Sequence, residues 1–176
     1  LERGHVEGSI SDLVRARRIE SNGLKLRYVA STNTYWQLIA NRMARVRKLK
    51  QLEDKMVAMT RYSATDLLCS RVTDSAKIHP DHLFRVQIND IGVRMLMLKN
   101  NEIDALFLTE PLATEARLLQ HNVLLDTREM DLQLGVLVFR DRAMAHPERS
   151  RQLSLFVKAY NAACDSINKY GIKKYR

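Results

Sequence analysis

The stretch Met56 to Asp66 constrains this chain more than any other. It reads Met-Val-Ala-Met-Thr-Arg-Tyr-Ser-Ala-Thr-Asp. A short apolar run, Met56 to Met59, lies between Lys55 and the polar group Thr60 to Ser63, and an amphipathic spacing follows at Ala64, Leu67, Leu68, Arg71 and Val72. The pattern predicts a strand that feeds a helix through a tight polar turn. Ser63 is suited to cap that helix, with Asp66 returning a bond in a variant of the capping box. The first amides of such a helix lack partners and lie at its positive dipole end. They can hold a carboxylate, sulfonate, phosphate or other polar group. In open α/β sheets, ligands bind beyond the carboxyl ends of the strands, where Thr60 to Thr65 would sit. For one such turn, plain capping is the better reading; a similar corner elsewhere shifts the balance.

Strands are expected over 6–11, 24–32, 35–40, 56–59, 83–88, 103–108, 123–125 and 134–139. Helices are expected over 12–22, 63–76 and 91–99, after Pro111, and from His146 onward. The last carries Leu153, Phe156, Val157, Tyr160, Cys164 and Ile167 on one stripe. Strands alternating with helices imply βα units, so the fold class is α/β with a largely parallel sheet. Gly4 reads as a left-handed cap closing a helix whose body would precede Leu1, and the first residues carry no signal-peptide pattern.

The second corner comes from an internal echo. Leu1-x-x-Gly4-x-Val6-Glu7-Gly8-x-Ile10-x-Asp12 is similar to Leu98-x-x-Asn101-x-Ile103-Asp104-Ala105-x-Phe107-x-Thr109. Each passes from a left-handed cap residue through an apolar strand to a polar end, then to a helix containing Ala-Arg (Ala16-Arg17, Ala116-Arg117). The echo sets Ser9 to Asp12 and Thr109 to Pro111 at equivalent strand ends of two similar lobes, with a cleft between them.

Composition narrows the function. A chain of 176 residues, 45% hydrophobic and 28% charged, can bury a core. No apolar run approaches the roughly 20 residues of a membrane span. The net charge of +9 raises the question of a nucleic-acid or anionic-membrane partner. The charge gathers at Arg15, Arg17 and Arg18, at Arg42 to Lys50, and at Lys169 to Arg176. The middle run has no interleaved aromatics for base stacking, so a solvated surface is the better reading. Cys69 and Cys164 read as buried free thiols; a disulfide stays open, and two cysteines indicate no compartment. His79 and His82 flank Pro80, which breaks any helix that would present both to a metal. No metal site and no cofactor are expected.

With these residues laid out, the chain resembles the periplasmic substrate-binding proteins of ABC importers, in the nitrate, sulfonate, taurine and thiamine-precursor group. The resemblance rests on Leu1-x-x-Gly4-x-Val6-Glu7-Gly8, Gly23-Leu24-Lys25-Leu26, Leu52-Glu53-Asp54-Lys55-Met56-Val57-Ala58, Glu102-Ile103-Asp104-Ala105, Glu110-Pro111, and Arg140-Asp141 to His146-Pro147-Glu148. It covers nearly the whole chain; order and spacing carry it. One departure stands out: Glu53-Asp54 replace the usual Lys-Gly; before the proline, where an aromatic or acidic residue is common, stands Glu110. The resemblance implies a two-lobed, type 2 binding-protein fold with mainly parallel sheets flanked by helices. The first strand, helix and second strand of lobe one would precede Leu1. Residues 1–40 and 133–176 would form the partial lobe one with hinge strands and the C-terminal helix, and 41–132 lobe two.

The resemblance also implies a site and partners. Ligand-contacting loops match Ser9 to Asp12; Ser31, Thr32 and on to Tyr35; Thr60, Arg61, Tyr62, Ser63 and Thr65; Asn89 with Asp90; and Thr109 with Glu110. Tyr62 would wall the ligand, with packing an equal reading. Glu110 favours a cationic or donor group, or serves simply as a first-turn acid; Arg61 argues for an anion. The function implied is a solute receptor, not an enzyme, delivering a small organic molecule or anion to an ABC permease in the membrane. It would be monomeric, periplasmic or anchored on the outer side of the cytoplasmic membrane, and without nucleic acid. The alternatives are an enzyme of thiamine or menaquinone precursor synthesis on the same fold, and an effector-binding regulatory domain. No nucleophile–base pair or phosphate loop supports the first, and no helix-turn-helix the second. The basic run gives the first test. Duplex or single-stranded DNA should bind no tighter than about 1 μM at physiological salt. A submicromolar affinity abolished by charge reversal at Arg45 and Arg47 would show a real nucleic-acid site.

Overall fold

The computed structural model describes residues 1–175, with all side chains but those of Ala143 and Ile172; Arg176, the end of the basic C-terminal cluster, lies outside the described residues. In chain order the elements are β1 (Gly8–Asp12), α1 (Leu13–Ser21), β2 (Leu26–Thr32), β3 (Gln37–Ala40), β4 (Lys55–Met59) and α2 (Ala64–Ala76). They continue with β5 (Leu83–Gln87), α3 (Ile91–Lys99), β6 (Ala105–Leu108), α4 (Leu112–Leu118), β7 (Asn122–Asp126), β8 (Gly135–Arg140), α5 (Asp141–Met144) and α6 (Pro147–Tyr170).

The strands form two sheets, a three-stranded one ordered β1-β8-β2 and a five-stranded one ordered β5-β4-β6-β3-β7. In the larger sheet β4 pairs in parallel with β5 and β6, as helical crossovers require. β3 runs against both β6 and β7, and β8 runs against both β1 and β2. Each of these two reversed strands is the first formed after the chain crosses from one sheet to the other. Every other strand keeps its sheet's common direction, so the expected parallel bias holds for strand direction, while the pairings that flank the crossings are antiparallel. Gln37–Ala40 belongs to the five-stranded sheet, because the chain crosses between the sheets at 33–36, before this strand. All four of its residues are buried.

Alternation along the strands splits the larger core in two. Leu38, Val57, Met59 and Phe107 face α2, packing with Leu68, Cys69 and Val72. Ile39, Ala58, Leu106 and Leu108 face α3 and α4, packing with Met95, Leu98, Ala113 and Ala116. Burial pushes the Cys69 thiol up to about 12, and both cysteines are free. Val46, in the middle of the basic run, and Leu52, just beyond it, plug into the same core, while the run's Arg and Lys side chains stay in solvent. The smaller sheet packs Val136 and Val138 against Ala16 of α1. Its other face is only part covered. Phe139 meets Phe156 of α6 edge-on at 6.0 Å between ring centroids, yet Ile10 is 63% exposed and Phe156 46%. The α6 stripe therefore does not become buried core: no residue of that helix is fully buried.

The echo is a physical one. Gly4 and Asn101 both have positive φ, 76° and 60°. Ala16 and Ala116, each beside an arginine, are both fully buried. At the carboxyl ends of β4, β5 and β6 one side chain gathers two carbonyls and a hydroxyl. Arg94 donates to Ile88 O at 2.8 Å, to Phe107 O at 3.0 Å and to Thr60 Oγ1. It is 4% exposed, and among the described residues no carboxylate forms an ion pair with it. Burial, with a smaller push from Arg15, lowers Arg94 to about 10, which leaves it charged at neutral pH. Arg94→Met should destabilise the fold by about 2–4 kcal/mol, because it strands buried acceptors at three strand ends. Urea unfolding of the variant checks this.

Candidate ligand-binding site

The corner between β4 and α2 forms as the sequence predicts, with Ser63 as N-cap. Its polar groups are spent internally. Ser63 Oγ accepts from Thr65 N at 3.2 Å and donates to Thr60 O at 2.7 Å. Thr65 Oγ1 accepts from Thr60 N at 2.9 Å, and Thr60 Oγ1 takes the Arg94 guanidinium. Asp66 returns its bond to Tyr62 N at 2.9 Å, one residue upstream of the N-cap amide expected of a capping box. Its other oxygen accepts from Arg85 at 3.0 Å. Ala64 N, the first helical amide, donates to Asp12 Oδ1 at 3.0 Å. Tyr62 has a φ of 57°, a left-handed conformation unusual for a bulky residue. Its ring lies under the Arg18 guanidinium at 3.7 Å. The hydroxyls of Thr60, Ser63 and Thr65, expected to face a ligand, thus serve the turn, and Arg61 is exposed.

A cavity of about 480 Å³ opens where the first crossing meets the turn between β6 and α4. Thr32, Asn33, Thr34 and Tyr35 line one side, Thr109 and Glu110 the other, and Ile10 and Tyr160 give it apolar walls. The structure thus brings together Thr32, Tyr35, Thr109 and Glu110 of the residues expected at the site. It places Ser9 in a separate apolar groove of about 380 Å³ between the small sheet and α6, and leaves Ser31 and Asn89 exposed. Ile10 and Tyr160 were missed, since each reads as ordinary core in its own element. Thr34 was legible in the polar exit after β2.

The sequence alone matches no family model and no curated protein. The structure does find similar ones. The alkanesulfonate-binding protein SsuA from Xanthomonas axonopodis pv. citri, bound to MOPS, superposes with a TM-score of 0.79 at 15% identity, over 98% of this chain and 61% of that one. The periplasmic aliphatic sulphonate binding protein SsuA from Escherichia coli gives 0.72 at 14% identity, over 98% and 60%. An ancestral arginine-binding protein bound to arginine gives 0.60 at 12% identity, over 97% and 70%. The fold is that of the periplasmic binding proteins. The chain spans about three-fifths of the length of the two sulfonate-binding structures.

Within this binding-protein fold, a ring of polar contacts frames the cavity mouth. Glu110 accepts from Tyr35 Oη, from Arg117 at 2.9 Å and from Thr114 N at 3.0 Å. Arg117 also donates to Gln37, whose Nε2 donates to Asp126 at 2.6 Å. Arg128 grips Asp126 at 2.6 Å and lies 4.0 Å over the Tyr35 ring. Burial pushes the Glu110 carboxyl up, but the bonds from Tyr35, Arg117 and Thr114 outweigh it and bring it down to about 2. The Arg128 hydrogen bond, against burial, likewise brings Asp126 to about 2. Among the described residues no group of three or more His, Cys, Asp or Glu could hold a metal ion. His82 sits in solvent beside Asp54 at 2.8 Å.

Both carboxyls are depressed in the folded state, from ordinary values of 4.5 for Glu110 and 3.8 for Asp126. The unfolded chain therefore binds more protons between those values and about 2. The stability they contribute is complete above the ordinary values and is lost as pH falls towards about 2. Urea midpoints followed down through this window should fall in the parent protein and fall less steeply in Glu110→Gln.

Proposed function

We propose that this protein is a solute-binding receptor of an ABC-type import system. It closes two lobes on a small solute and passes it to a membrane permease on the outer side of the cytoplasmic membrane. In this reading one lobe carries β1, α1, β2, β8 and α6, the other β3 to β7 with their helices, and the segments 33–36 and 127–134 act as the hinge. The carrying observation is the cavity whose walls come from both sheets, Ile10 and Thr32 from one and Thr109 and Glu110 from the turn after the other's β6. A site so divided gains its second set of contacts only on closure, so solute favours the closed form. The similar structures, described as binding proteins, support this assignment over a catalytic one. Among the described residues no helix is long and apolar enough to cross a membrane.

The test is mass spectrometry of small molecules released on denaturing freshly purified protein, followed by titration of the released compound. A true solute at one hundred times its Kd should stabilise the fold by about 2.7 kcal/mol, without turnover. Thr109→Ala should weaken binding by about 1 kcal/mol if its hydroxyl bonds the solute. Turnover of the released compound would instead point to an enzyme on this fold.

A further inference from the structure

We propose that the end of the five-stranded sheet opposite the cavity is a docking face for an anionic phospholipid surface. The face is built from the basic run 42–50 and the turn that leads from α4 into β7. The inference is separate from the receptor reading, because no solute enters its test.

Strand pairing places this face. Gln37 pairs with Leu108 and Asp126 at the crossing end of β3, whereas Ala40 pairs with Ala105 and Asn122 at the other. The chain leaves β3 there and enters the basic run. Three bonds lay the run against the turn before β7. Arg42 N donates to His121 Nδ1 at 3.2 Å, Arg42 Nη1 to Leu119 O at 3.3 Å, and Asn122 Nδ2 to Val46 O at 3.3 Å. With Val46 and Leu52 buried as well, the run is held as a fixed surface, so little ordering entropy is lost when it docks.

Two features meet on it. The first is charge. Arg42, Arg45, Arg47, Lys48 and Lys50 are exposed, and among the described residues only Lys50 forms an ion pair, with Glu53 at 3.0 Å. Neither 42–52 nor 118–125 contains an acidic residue. The acids nearest in the fold, Asp54, Asp104 and Glu115, are engaged by His82, the Met56 amide and Lys99. The second feature is apolar exposure. Met43 is 66% exposed and Leu118 75%, and Leu119 and Val123 are exposed beside them. Aliphatic side chains standing among cations match a bilayer interface: the aliphatic groups enter the acyl boundary while guanidinium and ammonium groups stay with the phosphates. Nucleic acid fits less well, since neither segment carries a Phe, Tyr or Trp for base stacking. Docking here also leaves the cavity mouth free, at the opposite end of the same sheet.

The test is cosedimentation with vesicles of phosphatidylcholine alone or mixed equally with phosphatidylglycerol. The protein should bind the mixed vesicles and not the neutral ones, and less tightly as salt rises. Each Lys or Arg at an anionic surface strengthens binding about fivefold, so Arg45→Gln with Arg47→Gln should weaken it about twenty-fivefold. Arg142→Gln with Arg151→Gln makes the same change of net charge on α5 and α6 and should alter binding little. Met43→Ser with Leu118→Ser leaves every charge in place and should also weaken binding. All these side chains are exposed, so the variants should melt with the parent. Absence of binding to the mixed vesicles, equal losses from both charge pairs, or no loss from the apolar pair overturns the proposal. So does submicromolar DNA binding or self-association that disappears in the same variants, since it assigns the face to another partner. Each of these results leaves the receptor reading standing, because that reading is decided by the released solute.

Discussion

The chain passes between its two sheets twice, and the two passages are bonded side by side. Trp36 N donates to the Thr127 hydroxyl at 3.0 Å, and Thr127 N donates back to Trp36 O at 3.1 Å. Much follows from this clasp. It sets β3 and β8 running against their neighbours, because each is laid down as the chain arrives from the far sheet. It also brings β8 so close to the first crossing that a Cβ on Gly135 would stand 2.1 Å from Thr32 Oγ1, leaving glycine as the residue that fits. The cavity hangs directly from the same crossing, at Thr32 to Tyr35.

Strand ends create a second demand. Where parallel strands stop, carbonyls and amides lose their ladder partners, and a buried polar group without a partner costs about 1–3 kcal/mol. This molecule meets the demand from within. Arg94 collects acceptors from three strand ends, and Asp12 supplies the first amide of α2. Groups that serve as ligand donors in an open corner become structural once α1 packs against them. Capacity for a solute is left at the crossing and at Thr109, where the walls stand apart. The ring from Tyr35 through Glu110, Arg117, Gln37, Asp126 and Arg128 then ties that mouth to β3 and β7, so the site and the clasp share residues.

The sequence by itself determined the order of elements, the cap at Ser63, and the repeated corner. These depend on interactions within a few residues: hydrophobic period, a side chain reaching back to a near amide, a left-handed residue after a helix. Polar residues at strand ends, visible as breaks in an apolar run, marked Thr32 and Thr109, and the family resemblance brought Tyr35 and Glu110 forward with them. Tertiary structure decided which sheet took Gln37–Ala40, how far α6 was covered, and where each hydroxyl found its partner. Those outcomes turn on contacts such as Asp12 with Ala64 or Tyr35 with Glu110, set by how two sheets meet around the crossings. A helix N-terminus looks the same in sequence whether a solute or the chain's own aspartate fills it. The choice is made by packing between distant segments, and periodicity carries no record of that.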